Sequence, residues 1–504
     1  MGHWRNLLSD RRGNVAVIFA VAAIPLLMGL GVAVDYGRTV VTRSRLADSI
    51  DAAVLAIGSQ PAMSDADAKT AITKWVNAQV NGAAIGSWQV DSVTQTGGSI
   101  HVTASGSVPT TLASLVGVKT LPVVVSTEAV RQAKKIELAL VLDNTGSMAG
   151  SKLSSLITAA NSLVDTLAKG TKQADDLRVA LVPFSMTVKV GASYKTATWM
   201  DTQALSPVHS EIFDKTGVNR FSLFDKMGVA WGGCVESRPL PYDVQDTLPS
   251  ASNPSTFYVP YFAPDEPDTK SGNSAVYPNS YLADVTTSTN WKTQETYSAK
   301  YTKNFTKTGT NSSTGYTYGP NSGCGLAPLM RLTNNTTSIK SAISAMTAVG
   351  DTNIPIGLAW GWNTLAPAGP FGDGVAYTDT EHSKIVVLMT DGQNQNSNPG
   401  GSNSNASYYS SIGYIWQNRL GITSGSDTTR RTAMDSRLST LCTNMKAKGI
   451  QIYTVRVEVT TGSSTVLKNC ASSPDMFYDV QDSSQLLATF QSIAGEISKL
   501  RISK

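Results

Sequence analysis

Apolar and polar positions divide the chain into three regimes. Val15 to Val34, VAVIFAVAAIPLLMGLGVAV, is twenty residues without a charge. As a helix it would span about 30 Å, the thickness of a bilayer core. The helical pattern runs on to about Ala56. Ser64 and Asp67 are spaced as a capping box for a second helix, with Ala68, Ile72, Trp75, Val76 and Val80 predicted on its buried face. In SIHVTASGSV, Ile100, Val102 and Ala104 alternate with His101, Thr103 and Ser105, and LPVVVSTEAV (121–130) supplies a partner strand. Residues 60–130 therefore predict a small α+β region.

From Ile136 the period switches between strand and helix. IELALVL (136–142) reads as a strand buried on both faces. Leu153, Leu156, Ile157, Ala160, Leu163, Val164 and Leu167 form a helical stripe, and LRVALVPF (177–184) is a second strand. Ile354–Leu365 is a helix, with Pro355 tolerated near its start. KIVVLMTD (384–391) and IQIYTVRV (450–457) are further strands. Helices are predicted around Met434–Met445 and Leu486–Ile497. Such alternation predicts an α/β domain on a parallel, doubly wound sheet.

One stretch interrupts it. Residues 195–325 are rich in Ser, Thr, Asn, Gly and Pro, hold nine tyrosines, and show little helical period. They predict an insertion with irregular or β structure of its own. Two readings stay open: a binding surface, because Tyr with Ser, Gly and Asn suits binding loops, or a disulfide-tied insert without such a role. A second Ser/Asn/Gly-rich loop spans 393–427. The predicted organisation is a tail at 1–14, a transmembrane helix at 15–34, a stalk at 35–131, and the α/β domain at 132–504 with its insertion at about 195–325.

Charge sets the compartment. Charged residues are 15% of the 504, low for a cytosolic protein. The net charge is +4, with Lys and Arg scattered and no basic run interleaved with aromatics, so nucleic acid is excluded as a partner. Arg5, Arg11 and Arg12 precede the apolar run, which puts the N-terminus in the cytoplasm and everything after Asp35 outside. Arg38, Arg43 and Arg45 oppose that orientation. The run is longer than a signal-peptide core and lacks a small-residue cleavage context, so an uncleaved anchor is preferred. Cys234, Cys324, Cys442 and Cys470 form no CxxC, and the four histidines are far apart, which argues against zinc. Export predicts disulfides, and pairing within each region predicts Cys234–Cys324 and Cys442–Cys470.

Why should a buried strand stop on a carboxylate followed by two hydroxyls, as VLDNTGSM (141–148) does? Ligands of a doubly wound sheet sit beyond the carboxyl ends of its strands, where the strand order reverses. Asp143 and Asp391 each end a buried strand there. Thr145 and Ser147 lie on the following turn, and in GDTNIPIGL (350–358) Thr352 opens the next helix. Two carboxylates, three hydroxyls and waters make a hard-oxygen shell suited to Mg2+, with Mn2+ or Ca2+ as alternatives.

DNTGS (143–147) resembles the DxSxS signature of the metal-ion-dependent adhesion site in von Willebrand factor A domains, with Thr145 in the middle serine position. Thr352 matches that site's separate threonine and TDG (390–392) its closing aspartate. The resemblance implies a sheet flanked by helices with Mg2+ at its top. Thr145, Ser147 and Thr352 would bind the ion directly, Asp143 and Asp391 mainly through water. One position would stay open for a partner's carboxylate. RRGNVAVIFAVAAIPLLMGLGVAVDYGR is similar to TadE/TadG-like proteins of tight-adherence (Flp) pilus assembly. So are GCVESR (233–238), LAWGWNTLAP (358–367) and the C-terminal NCASSPDMFYDV…LRIS. That family implies a bacterial envelope protein, single-pass in the inner membrane with its C-terminal domain exported, or carried to a pilus tip or the cell surface. Pilin-type precursors carry Glu five residues after the cleavage glycine; after Gly13 that position is Ile18, which argues against processing.

The function expected is therefore binding, not enzymatic: metal-dependent engagement of a carboxylate-bearing protein or surface ligand, in pilus assembly or attachment. A structural scaffold without metal-dependent binding is the alternative. A nucleotide hydrolase ranks lower, because GSMAGSK (146–152) fails the GxxxxGK[ST] spacing and Asp143 would repel phosphate. A serine hydrolase ranks lower still, since no GxSxG occurs.

Overall fold

The computed structural model describes residues 14–58, 63–79, 86–96, 99–130, 134–171, 173–268, 277–400, 403–459 and 465–500. The arginine-bearing tail, Gly13 and Val80 lie outside the described residues. The chain forms two compact units that divide between Ala133 and Lys134.

The first unit opens with α1 (Asn14–Gly58), one helix through the apolar run and beyond it. Its later turns bury Leu46, Ile50, Ala53, Val54 and Ile57. Helix α2 (Asp65–Gln79) starts as the capping box predicts: Ser64 Oγ accepts from the Asp67 amide at 3.1 Å and donates to its carboxylate at 2.7 Å. Ala68, Ile72 and Val76 are buried, but Trp75 is 42% exposed, because the buried stripe is a single i, i+4, i+8 row and Trp75 falls beside it. The sheet is antiparallel, β1 (Ser87–Thr96), β2 (Ser99–Pro109) and β3 (Thr120–Val130) in that order, one strand more than predicted. Ile100, Val102, Ala104, Val123 and Val125 face α1 and α2 in one core.

The second unit alternates strands and helices. Strand β4 (Lys135–Asp143) leads to α3 (Ser151–Lys169) and β5 (Leu177–Phe184). Then come β6 (Val188–Lys189), α4 (Arg220–Met227), β7 (Cys234–Val235), α5 (Trp291–Thr296), β8 (Met330–Thr333) and α6 (Thr336–Ser344). The rest is α7 (Ile354–Leu365), β9 (His382–Thr390), α8 (Asp427–Ala447), β10 (Gln451–Val457), α9 (Thr465–Cys470), β11 (Phe477–Val480) and α10 (Leu486–Leu500). Strands β11, β10, β9, β4 and β5 lie side by side and parallel. The sheet is not wholly parallel as predicted: β8 runs antiparallel against β5, and β6 and β7 continue that edge as an antiparallel ribbon. Strand β6 turns back from β5 after only three residues, too few for the crossover a parallel neighbour needs, and β7 and β8 follow within and just after the insertion.

Strand β4 is buried along nearly its whole length, Glu137 included. That carboxylate survives burial because Arg178 and Lys384 both pair with it and the Val375 amide donates to it at 3.0 Å. Helix α7 lies hard against β4 and β5 because two of its residues lack a Cβ. One added at Gly357 would stand 2.4 Å from the Phe184 ring, and one at Gly361 2.4 Å from Val141 Cγ2.

Cys234 is bonded to Cys324 and Cys442 to Cys470. The first bridge ties the insertion, which is built of short turns and isolated bridges with α4 and α5 as its helices. Tyr258, Tyr261, Tyr281 and Tyr301 are all buried in the domain core, so these tyrosines pack the insertion and do not offer a binding surface.

Candidate metal centre

Strand order reverses at β4. The chain first adds β5 on one side and later β9 on the other, and in doubly wound sheets ligands sit beyond the carboxyl ends of the strands at such a point, here β4 and β9. Asp143 is the last residue of β4, and Asp391 follows the last residue of β9.

Asp143 is fully buried. It accepts from the Thr145 amide at 2.8 Å and from Thr390 Oγ1 at 2.6 Å, which fixes its plane. Burial, then the nearby Asp391 charge, pushes its pKa up to about 6. Thr145 sits in extended conformation at the foot of a short turn, Gly146–Met148. Its hydroxyl lies 3.0 Å from Ser147 Oγ, and Ser147 Oγ donates to Asp391 Oδ1 at 2.7 Å. Lys152, in the first turn of α3, donates to the other Asp391 oxygen at 2.7 Å. The same ammonium stands 3.8 Å from Glu458 Oε2.

The third segment is pinned to the first two. The Gly146 amide donates to the Gly350 carbonyl at 2.9 Å, and the Val349 amide to the Asn144 carbonyl at 2.7 Å. Thr352 is buried, and its carbonyl accepts from the Gln395 amide at 2.7 Å. Its hydroxyl would lie 3.7 Å from a Cβ built on Gly392, the residue after Asp391. Asn353, not Thr352, caps α7, through a bond from the Ile356 amide.

The structure thus joins Asp143, Thr145, Ser147 and Asp391 through hydrogen bonds and sets Thr352 against the neighbour of Asp391. Thr390, Lys152 and Glu458 escape the sequence reading. A hydroxyl ending a strand and a lysine five residues after Ser147 carry no signal of their own, although GSMAGSK already ends on that lysine.

The donor chemistry fits a divalent cation. Two carboxylates repel each other at one rim, three hydroxyls accompany them, and no soft ligand is present. Among the described residues no three His, Cys, Asp or Glu side chains gather around a common centre, so an ion here would depend on hydroxyls and water.

The strands of this unit in chain order, leaving aside the β6–β7 ribbon, are β4, β5, β8, β9, β10 and β11. Their spatial order is 3-2-1-4-5-6 with the third antiparallel. With the DxSxS-type turn at the top of its first strand, this is the fold of a von Willebrand factor A domain. The N-terminal helix is decided separately, because residues 13–59 match the model of the Flp pilus-assembly TadE/G-like family. Residues 13–59 are TadE/G-like. In the chain this matched segment is followed by the β1–β3 sheet and then by the α/β unit. Among solved structures the chain is similar to the von Willebrand factor domain of the type V pilus tip protein Mfa5 from Porphyromonas gingivalis. Identity there is 12% and TM-score 0.34, over 72% of this chain and 95% of that one. It is similar also to the pilus adhesin SpaC from Lactobacillus rhamnosus GG (12%, TM-score 0.33, 82% of this chain and 34% of that one). A third is proximal thread matrix protein 1 of the mussel byssus with a zinc-occupied MIDAS motif (12%, TM-score 0.30, 72% and 47%). The chain thus spans about a third of the length of SpaC. No curated protein matches the sequence significantly. The fold assignment rests on strand order, not on these distant likenesses.

Proposed function

We propose that this is a pilus-associated envelope protein, anchored by α1, whose A domain binds a carboxylate-bearing protein or surface ligand through a divalent cation, Mg2+ first. The observation that carries this reading is the hydrogen-bonded chain from Asp143 through Thr145 and Ser147 to Asp391, built from two strand ends 248 residues apart (391 minus 143). Thr145, Ser147 and Thr352 would hold the ion with their hydroxyls, while Asp143 and Asp391 would orient water around it and balance its charge. The ion would supply a Lewis-acid position to a ligand carboxylate. Binding, not catalysis, suits a site with hydroxyls and carboxylates but no histidine or nucleophile placed to act on a substrate.

Lys152 favours a second reading. Its ammonium already serves Asp391 as a counterion, so the rim is electrically satisfied without metal and the domain would serve as an assembly scaffold. Calorimetric titration of the full chain with MgCl2 and MnCl2 tests the first reading, and Asp391→Ala should abolish uptake. Cells carrying Asp143→Ala then separate roles: lost attachment with normal pili supports adhesion, and lost pili support assembly. Absence of uptake by the unaltered chain leaves the scaffold.

A further inference from the structure

The hairpin loop between β2 and β3 carries the most exposed large apolar side chain among the described residues, Leu115 at 80%. Leu112 and Val118 beside it are 45% and 43% exposed. No interior explains them, because among the loop residues whose side chains are described only Ala113 is buried. The loop is nevertheless held firmly. The buried Asp35 carboxylate, one residue past the apolar run of α1, accepts the backbone amides of Thr111, Leu112 and Ala113 at 2.7–3.1 Å. Arg38, one turn on, bonds the Thr111 hydroxyl.

The register of this contact decides what covers the loop. A Cβ on Gly31 would stand 2.7 Å from Leu112 Cβ, so Leu112 lies level with Gly31. Gly31 is three residues inside the uncharged run that ends at Val34, about 4–5 Å of helix. If that run fills the hydrocarbon layer, Leu112 already stands at acyl depth, and Leu115 and Val118 extend from the same short turn. Lys119, exposed at the loop's exit, is placed to meet headgroups.

We propose that the 110–119 loop is a second membrane contact, in which Leu112, Leu115 and Val118 enter the acyl layer of a phospholipid bilayer beside α1. The proposal rests on the reading of α1 as a membrane span. The β1–β3 sheet would then stand on the bilayer at two points, and Asp35 would be the clamp that keeps loop and helix in register.

The test uses the full chain with Leu115→Cys, carrying an environment-sensitive fluorophore. The native cysteines are all paired, so this thiol is unique among the described residues. Met28→Cys marks the helix. Thr96→Cys, at the end of β1 paired with Ser99, marks the opposite end of the sheet, about 30 Å away along β2. In phosphatidylcholine vesicles with acyl chains brominated near the headgroup, labels at 115 and 28 should be quenched several-fold more than at 96. Quenching at 28 but not at 115 overturns the loop contact and leaves the anchor standing. No quenching at 28 removes the anchor itself. Disulfide-linked dimers of the unlabelled Leu115→Cys protein in vesicles would show that the loop meets another copy instead, and would also overturn the proposal.

Discussion

Lys152 Nζ and Asp391 Oδ2 are 2.7 Å apart, and the pair spans the rim of the A domain from the first turn of α3 to the end of β9. The ammonium thereby occupies one face of the carboxylate that a divalent cation would need. Glu458, 3.8 Å from the same ammonium, gives it a second place to rest. Glu458 is held for this by an unusual backbone, φ +51°, and by the Ser483 amide bonding its carboxylate at 2.7 Å.

Removing the competing charge should strengthen metal uptake. Lys152→Met is expected to raise Mg2+ affinity about tenfold, roughly 1.4 kcal/mol, allowing for the partial exposure of the lysine, 22%. Titration calorimetry at fixed ionic strength measures it. Unchanged affinity would show that the lysine does not contend for the site.

Asp143 and Asp391 should separate in their structural weight. Asp143→Ala strands the buried Thr145 amide, leaves the buried Thr390 hydroxyl with only its longer contacts to Gly392, and should cost about 1–3 kcal/mol. Asp391→Ala takes bonds from the part-exposed Ser147 and Lys152 side chains and should cost less. Chemical denaturation ranks the two, and an inverted order would contradict the hydrogen-bond assignment.

The insertion should lose stability as pH rises. Burial pushes Glu266 up to about 7 and Asp265 up to about 6. Glu295 beside them is raised too, by burial and then by Glu266. A carboxyl raised on folding favours the folded state fully below its unfolded pKa and loses that contribution as pH climbs through the folded value. Stability should therefore fall between about pH 4.5 and 7, at up to about 1.4 kcal/mol per pH unit for one such group. Glu266→Gln keeps a neutral side chain in place and should flatten that slope in denaturation series. A slope unchanged by the substitution refutes the assignment.

The bridges should differ in worth. Cys234–Cys324 closes 90 residues and Cys442–Cys470 closes 28. Loss of chain entropy in the unfolded state predicts about 4–5 and about 3–4 kcal/mol. Double-serine variants of each pair, compared by thermal unfolding, check both the size and the order.

Legibility in the sequence followed how locally each feature is encoded. The central strands β4, β9 and β10 were plain because burial on both faces leaves an uninterrupted apolar run. Strand β1 was not, because a bulge between Val90 and Ser92 puts its buried residues, Val90 and Val93, three apart and erases the period of two. Strand β8, four residues long, is specified by its pairing with β5 and has no pattern to read. Trp75 misled because helical spacing locates a stripe but not its width. Four of the nine tyrosines of the insertion, Tyr258, Tyr261, Tyr281 and Tyr301, look like binding-loop composition until burial shows them in the core. At the rim, Asp143, Thr145, Ser147, Thr352 and Asp391 were readable as strand-end chemistry, whereas Lys152 and Glu458 acquire their meaning from distance alone.

By itself the sequence determined the apolar helix, the alternation that makes a doubly wound sheet, and which carboxylates and hydroxyls end its strands. These depend on periodicity and on the type of residue at each break, both local properties of a chain. Only the tertiary structure decided that the sheet has an antiparallel edge, that Lys152 lies on Asp391, and that Asp35 clamps an exposed apolar loop level with Gly31. Each of these joins residues tens to hundreds of positions apart or reads an ammonium's position to an ångström, and pattern along a chain carries no such distances.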